Sequence, residues 1–168
     1  MILITMLIAS VLMGCSLNQT SLKERQFNQI FPSVIMNTYL NIEDIRDAEG
    51  KITSYTTRDT IDIIFYNVSK DNIEFQRDKG IRIFIYDDKE GNWIEIKDNK
   101  IYYDDNIVIT PPRTSINPGF GGISFIPKIS NRDQPINLRV VVIGQIVKGG
   151  LPTGQLVGAY IDLDLKPK

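Results

Sequence analysis

Several segments of the chain place an apolar side chain at every second position. In TIDIIFY these side chains are Ile61, Ile63 and Phe65, and the segments IRIFIY, WIEIK and GAYIDLDL repeat the pattern. Alternate residues of a β-strand point to opposite faces of its sheet, whereas an amphipathic helix repeats about every 3.6 residues. The isoleucines and valines that recur in these segments also favour strands. The pattern therefore predicts a domain built from β-strands.

Short turn-forming stretches separate these segments. YDDKEGNW lies between two alternating segments and predicts a β-hairpin, and KGGLPTG joins the last two strands. LRVVVIGQIV, which begins at Leu138, is apolar on both faces, so we expect it to be the most central strand. Together these features predict an all-β fold over residues 31–168, an antiparallel β-sandwich of about seven to nine strands.

This order of strands resembles an immunoglobulin-like or fibronectin-type β-sandwich over about residues 32–166. Many unrelated proteins share that architecture, so the resemblance implies a fold and no particular activity. The chain departs from true immunoglobulin domains because it lacks their paired cysteines, and its single tryptophan, Trp93, directly follows a hairpin.

The composition excludes several kinds of chemistry. The chain has no histidine and one cysteine among 168 residues. Histidine is the commonest general base and a frequent metal ligand, and a single cysteine forms no internal disulfide. We therefore expect no enzyme activity, no metal site and no non-covalent cofactor. The 19 basic and 20 acidic residues are spread along the chain and give a net charge of −1, which predicts no nucleic-acid partner.

An apolar segment, ILITMLIASVLM, directly precedes the Gly-Cys pair that contains the only cysteine. A helix of about 12 residues spans about 18 Å, which is less than the hydrocarbon core of a bilayer, about 30 Å. The segment therefore predicts a secretory signal peptide, with an uncleaved membrane anchor or a buried helix as the alternatives.

Leu12, Met13, Gly14 and Cys15 resemble the lipobox of bacterial lipoprotein signal peptides. The resemblance implies that residues 1–14 are removed and that Cys15 receives a diacylglyceryl group and a further acyl chain, with palmitate a typical component. Two acyl chains hold a protein on a bilayer firmly, whereas one holds it only marginally. We therefore expect a covalent lipid on Cys15 and attachment to the cell membrane or outer membrane, facing the periplasm or the cell exterior.

Residues 15–30 are polar and weakly patterned. We interpret them as the lipidated N-terminus and a tether. A short helix from Leu22 to Ile30 is the alternative.

Two acidic clusters offer oxygen ligands of the kind that calcium prefers. One is formed by Asp87, Asp88, Glu90 and Asn92, and the other by residues 104–106. Their spacing does not match an EF-hand loop, so a solvated turn is the simpler interpretation.

Three further motifs also have a functional and a structural interpretation. Asp162 and Asp164 lie about 7 Å apart on one strand face. This separation suits the two carboxylates of a glycoside hydrolase, but charged residues on an edge strand, where they prevent aggregation, are an equally good interpretation. NPGFGG, residues 117–122, is glycine-rich but lacks the Lys-Ser/Thr of a phosphate-binding loop, so we expect a turn. The sequence Asn67-Val68-Ser69 fits a glycosylation sequon, which we expect to be inert in a bacterial lipoprotein.

Aromatic side chains are the best candidates for a binding surface, because tyrosine and tryptophan are favoured interface anchors. They are Tyr66, Tyr86, Trp93, Tyr102, Tyr103 and Phe120. We expect a non-catalytic module that binds an envelope protein, a peptide or a glycan. A structural or accessory subunit of an envelope or secretion assembly is the alternative. A third possibility is a protease inhibitor that presents Arg113 on the proline-braced loop TPPRTSINP.

Overall fold

The computed structural model describes residues 22–44, 55–75, 80–97, 107–109, 120–130 and 133–167, and for residues 107–109, 120 and 121 it describes the backbone alone. These ranges contain one helix, residues 22–30, and eleven strands. The predicted all-β class is therefore confirmed. The strands are β1 (Val34–Met36), β2 (Leu40–Asp44), β3 (Tyr55–Thr56), β4 (Ile61–Asn67), β5 (Asn72–Phe75), β6 (Ile81–Asp87), β7 (Asn92–Glu95), β8 (Ile107–Ile109), β9 (Phe120–Phe125), β10 (Ile136–Lys148) and β11 (Leu151–Lys166).

The strands form two sheets. In sheet B, β4 pairs antiparallel with β2 on one side and with β9 on the other. Sheet A contains the other strands, and there β1 and β3 both pair parallel with β11. The prediction of a purely antiparallel sandwich is therefore wrong. A tight hairpin makes two strands antiparallel. β1 and β3 are not joined to β11 by a hairpin, because the chain passes from sheet A to sheet B directly after each of them.

β10 is the most central strand, as predicted. It pairs with β11 on one side and with β5 and β6 on the other. Leu138, Val140 and Val142 are fully buried on the face that belongs to the core, and Arg139 and Val141 are buried on the opposite face. A strand buried on both faces has no polar side to alternate with, which explains the continuous apolar run in the sequence.

The predicted hairpin between the last two strands is present. Gly149 and Gly150 have φ angles of 59° and 80°, and a two-residue turn with positive φ at both positions matches the twist of the paired strands. Glycine adopts these angles without steric cost.

The core lies between the inner faces of the two sheets. On β4, Ile61, Ile63 and Phe65 point inward as the alternation predicts, and they belong to the same buried cluster as Leu138 and Val140 of β10. One shared core between two sheets is the arrangement of a sandwich-like β fold.

The described residues divide into two compact units. The smaller one contains residues 22–32 and Asp87–Trp93, and the larger one contains the remainder from Ser33 onward. In the smaller unit, the ring centroid of Phe27 lies 5.5 Å from that of Phe31 and 5.6 Å from that of Trp93, whose indole N–H donates to the carbonyl of Lys23 at 3.1 Å.

Residues 22–30 are therefore helical, as in the alternative to the predicted tether. Phe27 is fully buried, and one buried aromatic ring supplies a packing contact that the weak apolar pattern of the segment does not reveal. Residues 15–21 lie outside the described residues.

Candidate functional site

The outer face of sheet B is a polar surface that includes the aromatic side chain of Tyr66, near the end of the central strand β4. On β4 the residues between the buried ones point outward, and β2 and β9 add their own outward residues beside them. We call this surface the Tyr66 face. It comprises Asn41, Glu43, Asp62, Ile64, Tyr66, Gly122 and Ser124.

Hydrogen bonds within and between neighbouring strands fix the polar side chains of the Tyr66 face. The hydroxyl of Tyr66 donates to one carboxylate oxygen of Glu43, and the side-chain amide of Asn41 donates to the other at 3.0 Å. On β9, the hydroxyl of Ser124 donates to the carboxylate of Asp62. Each carboxylate is thus oriented by a neutral donor and keeps further acceptor positions.

The environment of Tyr66 keeps its hydroxyl protonated. Partial burial, the hydrogen bond to Glu43 and the negative charge of Glu43, in that order, raise the pKa of Tyr66 to about 12. Each of these causes disfavours a phenolate, because the anion would lose hydration and repel the carboxylate. Tyr66 is therefore a neutral hydrogen-bond donor throughout the physiological pH range.

We expect Tyr66 to ionise near pH 12, whereas an ordinary tyrosine ionises near pH 10. Because the folded-state pKa is raised, the stabilisation from this pair is complete below pH 10 and is lost as the pH rises through 12. Ultraviolet absorbance of phenolate measures the titration. Tyr66→Phe should remove from the titration curve one tyrosine that ionises near pH 12. Glu43→Gln should lower the pKa of Tyr66 only in part, because burial is the largest cause of the raised pKa. A wild-type curve identical to that of Tyr66→Phe above pH 10 would contradict the assignment.

A glycine opens the Tyr66 face on the β9 side. Gly122 lies directly opposite Ile64, and a Cβ atom at position 122 would meet only the carbonyl oxygen of Ile63, at 3.7 Å. That distance is an ordinary van der Waals contact. A larger side chain at this position therefore covers the face without disturbing the core.

The structure brings together only some of the predicted aromatic residues. The backbone of Phe120 pairs with that of Tyr66 across β9 and β4. Tyr86 lies half-buried near the end of β6. Trp93 belongs to the smaller unit, where it packs on Phe27. Tyr102 and Tyr103 lie outside the described residues, as do Cys15 and Arg113.

The acidic turn after β6 stabilises itself. The carboxylate of Asp87 accepts the backbone N–H groups of Lys89 and Glu90 at 2.9 and 3.3 Å, and Asp88 forms an ion pair with Lys23 at 3.6 Å. Within the ranges that the structure covers, no three acidic or cysteine side chains are grouped so as to hold a metal ion. Residues 104–106 and 117–119 lie outside those ranges.

Asp162 has a structural partner that the sequence reasoning missed. Its two carboxylate oxygens accept two hydrogen bonds from the guanidinium group of Arg139, each of 2.6 Å, and that group also lies 4.1 Å from the ring centroid of Tyr160. On its other side β11 pairs with β1 at residues 156–158 and with β3 at residues 165–166, so Asp162 and Asp164 lie between these two paired stretches. The signal in the sequence was Arg139, the only charged residue between Leu138 and Val147.

Asn67 of the sequon is a structural residue in this fold. It is 1% exposed, and its side-chain amide donates to the carbonyl of Asp71 at 2.7 Å. Its side-chain oxygen accepts the backbone N–H of Ser69 at 2.9 Å and the Ser69 hydroxyl at 2.7 Å. These bonds close the turn between β4 and β5, so the amide is occupied in the folded protein.

In the described part of the chain, no helix has the length and apolar character needed to cross a membrane. A scan against models of known protein families and a search of curated proteins each found no match.

Proposed function

We propose that this chain is a lipid-anchored protein of the bacterial cell envelope whose β domain binds a partner without catalysing a reaction. The resemblance of Leu12–Cys15 to a lipobox supports the anchor. The Tyr66 face supports the binding role, because it presents an aromatic ring and two oriented carboxylates on a rigid sheet. Rigid, preordered groups lose little conformational entropy when a partner binds.

The larger unit is proposed to be an immunoglobulin-like β-sandwich. Two sheets with one shared core and a long central hairpin support this proposal. Folds of this kind commonly present binding surfaces on loops or sheet faces, so the function depends on the residues of the surface and not on the fold.

The proposed partner of the Tyr66 face is a glycan of the cell envelope. Glu43 and Asp62 keep acceptor positions that sugar hydroxyl groups fill, and the tyrosine ring offers an apolar surface to the C–H groups of a sugar. Among the side chains of this face that the structure describes, Ile64, half-buried, is the other large apolar one.

A mass measurement tests the anchor. The intact protein extracted from membranes should begin at Cys15 and carry the added mass of a diacylglyceryl group and of a further acyl chain where the amino group is modified. A protein that begins at Met1 without acyl groups would refute it.

Binding of a panel of envelope oligosaccharides, measured by calorimetry on the purified full protein, tests the role of the Tyr66 face. Tyr66→Ala and Gly122→Gln should each weaken the affinity for the bound glycan by about tenfold or more. Ser130→Gln, an exposed substitution outside this face, is the matched control and should leave the affinity unchanged.

Three outcomes of this experiment would contradict the proposal. Turnover of any ligand would make the protein an enzyme. Binding that Gly122→Gln does not weaken would place the site elsewhere. A stoichiometric protein that co-purifies equally with wild type and Tyr66→Ala, in the absence of any glycan binding, would favour an accessory subunit of an envelope assembly.

A further inference from the structure

Two carboxylates of the Tyr66 face have no counter-charge. Glu43 accepts hydrogen bonds from Tyr66 and Asn41, and Asp62 accepts one from Ser124. All three donors are neutral, so they orient the carboxylates and leave the negative charges uncompensated. Within the described ranges, no lysine or arginine forms an ion pair with either carboxylate.

Several carboxylates elsewhere in the chain are compensated by cations of the protein. Four of them form an ion pair with a lysine or an arginine, namely Asp71, Asp88, Glu95 and Asp162. The Tyr66 face itself contains no basic residue. The described basic residues nearest to it along the chain are each four residues away, and they are Arg58, Lys70 and Lys128. The face therefore carries a local negative charge, although the net charge of the whole chain is only −1.

The two carboxylates lie beside the opening that Gly122 leaves in the Tyr66 face. Glu43 and Gly122 are both paired with Ile64, one on each side of β4. Asp62 lies two residues before Ile64 on β4, so it is a diagonal neighbour of Glu43. The Cβ atoms of such neighbours lie about 7 Å apart in an antiparallel pair. A single ligand that covers Ile64 and Gly122 is thus adjacent to both carboxylates.

The charge of the face determines which sugars fit there. A uronic acid or a phosphorylated sugar would bring a third negative charge beside Glu43 and Asp62, with no cation on the face to balance it. A neutral sugar fills the acceptor positions of the carboxylates without any gain from charge. A sugar with a protonated amino group supplies N–H donors and an opposite charge together, and such charge-assisted hydrogen bonds are about twice as strong as neutral ones.

From these observations we infer that the Tyr66 face is specific for a glycan whose amino sugars carry free, protonated amino groups, with an ammonium group held beside Glu43 and Asp62. This inference rests on the glycan-binding function proposed for the same face. The ring of Tyr66 adds to the preference, because aromatic rings attract cations as well as the C–H groups of a sugar.

Two oligosaccharides that differ only in N-acetylation test this inference. They are the linear tetramers of glucosamine and of N-acetylglucosamine, and both are measured by calorimetry on the purified full protein at a pH below the pKa of the free amino groups. We expect the glucosamine tetramer to bind about tenfold more tightly than the acetylated one. The ratio of the two affinities should fall as the salt concentration rises, because salt screens charges that are exposed to solvent.

Glu43→Gln and Asp62→Asn test the role of the two carboxylates. Each substitution removes one negative charge and keeps a side-chain oxygen that accepts the hydrogen bond of the neighbouring hydroxyl. Each should lower the ratio of the two affinities by about threefold or more, and either variant suffices if the other fails to fold. Asp164→Asn is the matched control, because it removes the same charge from an exposed position on β11, in the other sheet. It should leave the ratio unchanged.

Several results would overturn the inference. Binding of the acetylated tetramer as tightly as the glucosamine tetramer would refute the charge preference and leave the proposed glycan binding intact. A preference that both Glu43→Gln and Asp62→Asn leave unchanged would place the ammonium group elsewhere. Binding of tetralysine as tightly as the glucosamine tetramer would assign the face to a basic peptide. If no glycan of any charge binds, the proposed function fails together with the inference.

Discussion

Asp162→Ala is expected to lower the free energy of unfolding by about 2 kcal/mol, because it removes a carboxylate, itself 56% exposed, that hydrogen-bonds to a buried cation. Arg139 is 1% exposed, and both of its hydrogen bonds to Asp162 measure 2.6 Å. The guanidinium group cannot regain full hydration inside the sheet, so it retains much of the cost of burial after the partner is lost. Urea denaturation monitored by circular dichroism measures the change.

Asp164→Ala is the matched control for this effect. Asp164 lies on the same strand and the same face, two residues further along, and is exposed to solvent. We expect its substitution to change stability by less than about 0.5 kcal/mol. Equal losses in the two variants would show that the Arg139 pair contributes no specific stability. The double variant Arg139→Met with Asp162→Ala should regain part of the loss, because a buried apolar side chain needs no counter-charge.

Gly144→Val is expected to destabilise the protein by about 3 kcal/mol or more, since the core has no room for a side chain at this position. A Cβ atom at position 144 would lie 2.5 Å from Cγ2 of Ile73, 3.0 Å from Cε1 of Phe75 and 3.1 Å from the carbonyl oxygen of Glu74. The last atom belongs to the backbone of β5, which pairs with β10 beside this position. These close contacts are relieved only if β5 and β10 separate. Thermal unfolding of the variant should therefore show a lower midpoint temperature than that of the wild type.

Gly122→Val tests whether this effect is specific to the crowded position. Gly122 is also a strand glycine, but its Cβ position has space, and a β-branched residue favours a strand. We expect the stability of this variant to equal or exceed that of the wild type. A similar loss of stability in both valine variants would mean that backbone preference, and not crowding beside β5, decides the outcome.

The strands were predictable because their alternation reflects burial directly. Ile61, Ile63 and Phe65 are inward as expected, and the apolar run after Leu138 is the central strand. The parallel pairing of β1 and β3 with β11 was not predictable, because these strands have three and two residues. Segments this short carry no periodic signal, and their direction depends on where the chain crosses between the sheets.

The polar residues were harder to interpret from the sequence, because their roles depend on neighbours far along the chain. Tyr66 was a candidate only because it is an aromatic residue, since its hydrogen-bond partner Glu43 is 23 residues away. Trp93 has its partners near the start of the described chain, at Lys23 and Phe27. Asp162 was attributed to an edge because nothing in its local sequence reveals the arginine on the adjacent strand.

The position of β10 in the chain determines when the larger sheet can assemble. β5 and β6 are complete by residue 87, yet the strand to which both of them pair begins at Ile136. During synthesis, these strands therefore leave the ribosome well before their partner exists, and sheet A cannot close until β10 has been made. The order of the strands thus ties the completion of sheet A to the synthesis of its last two strands.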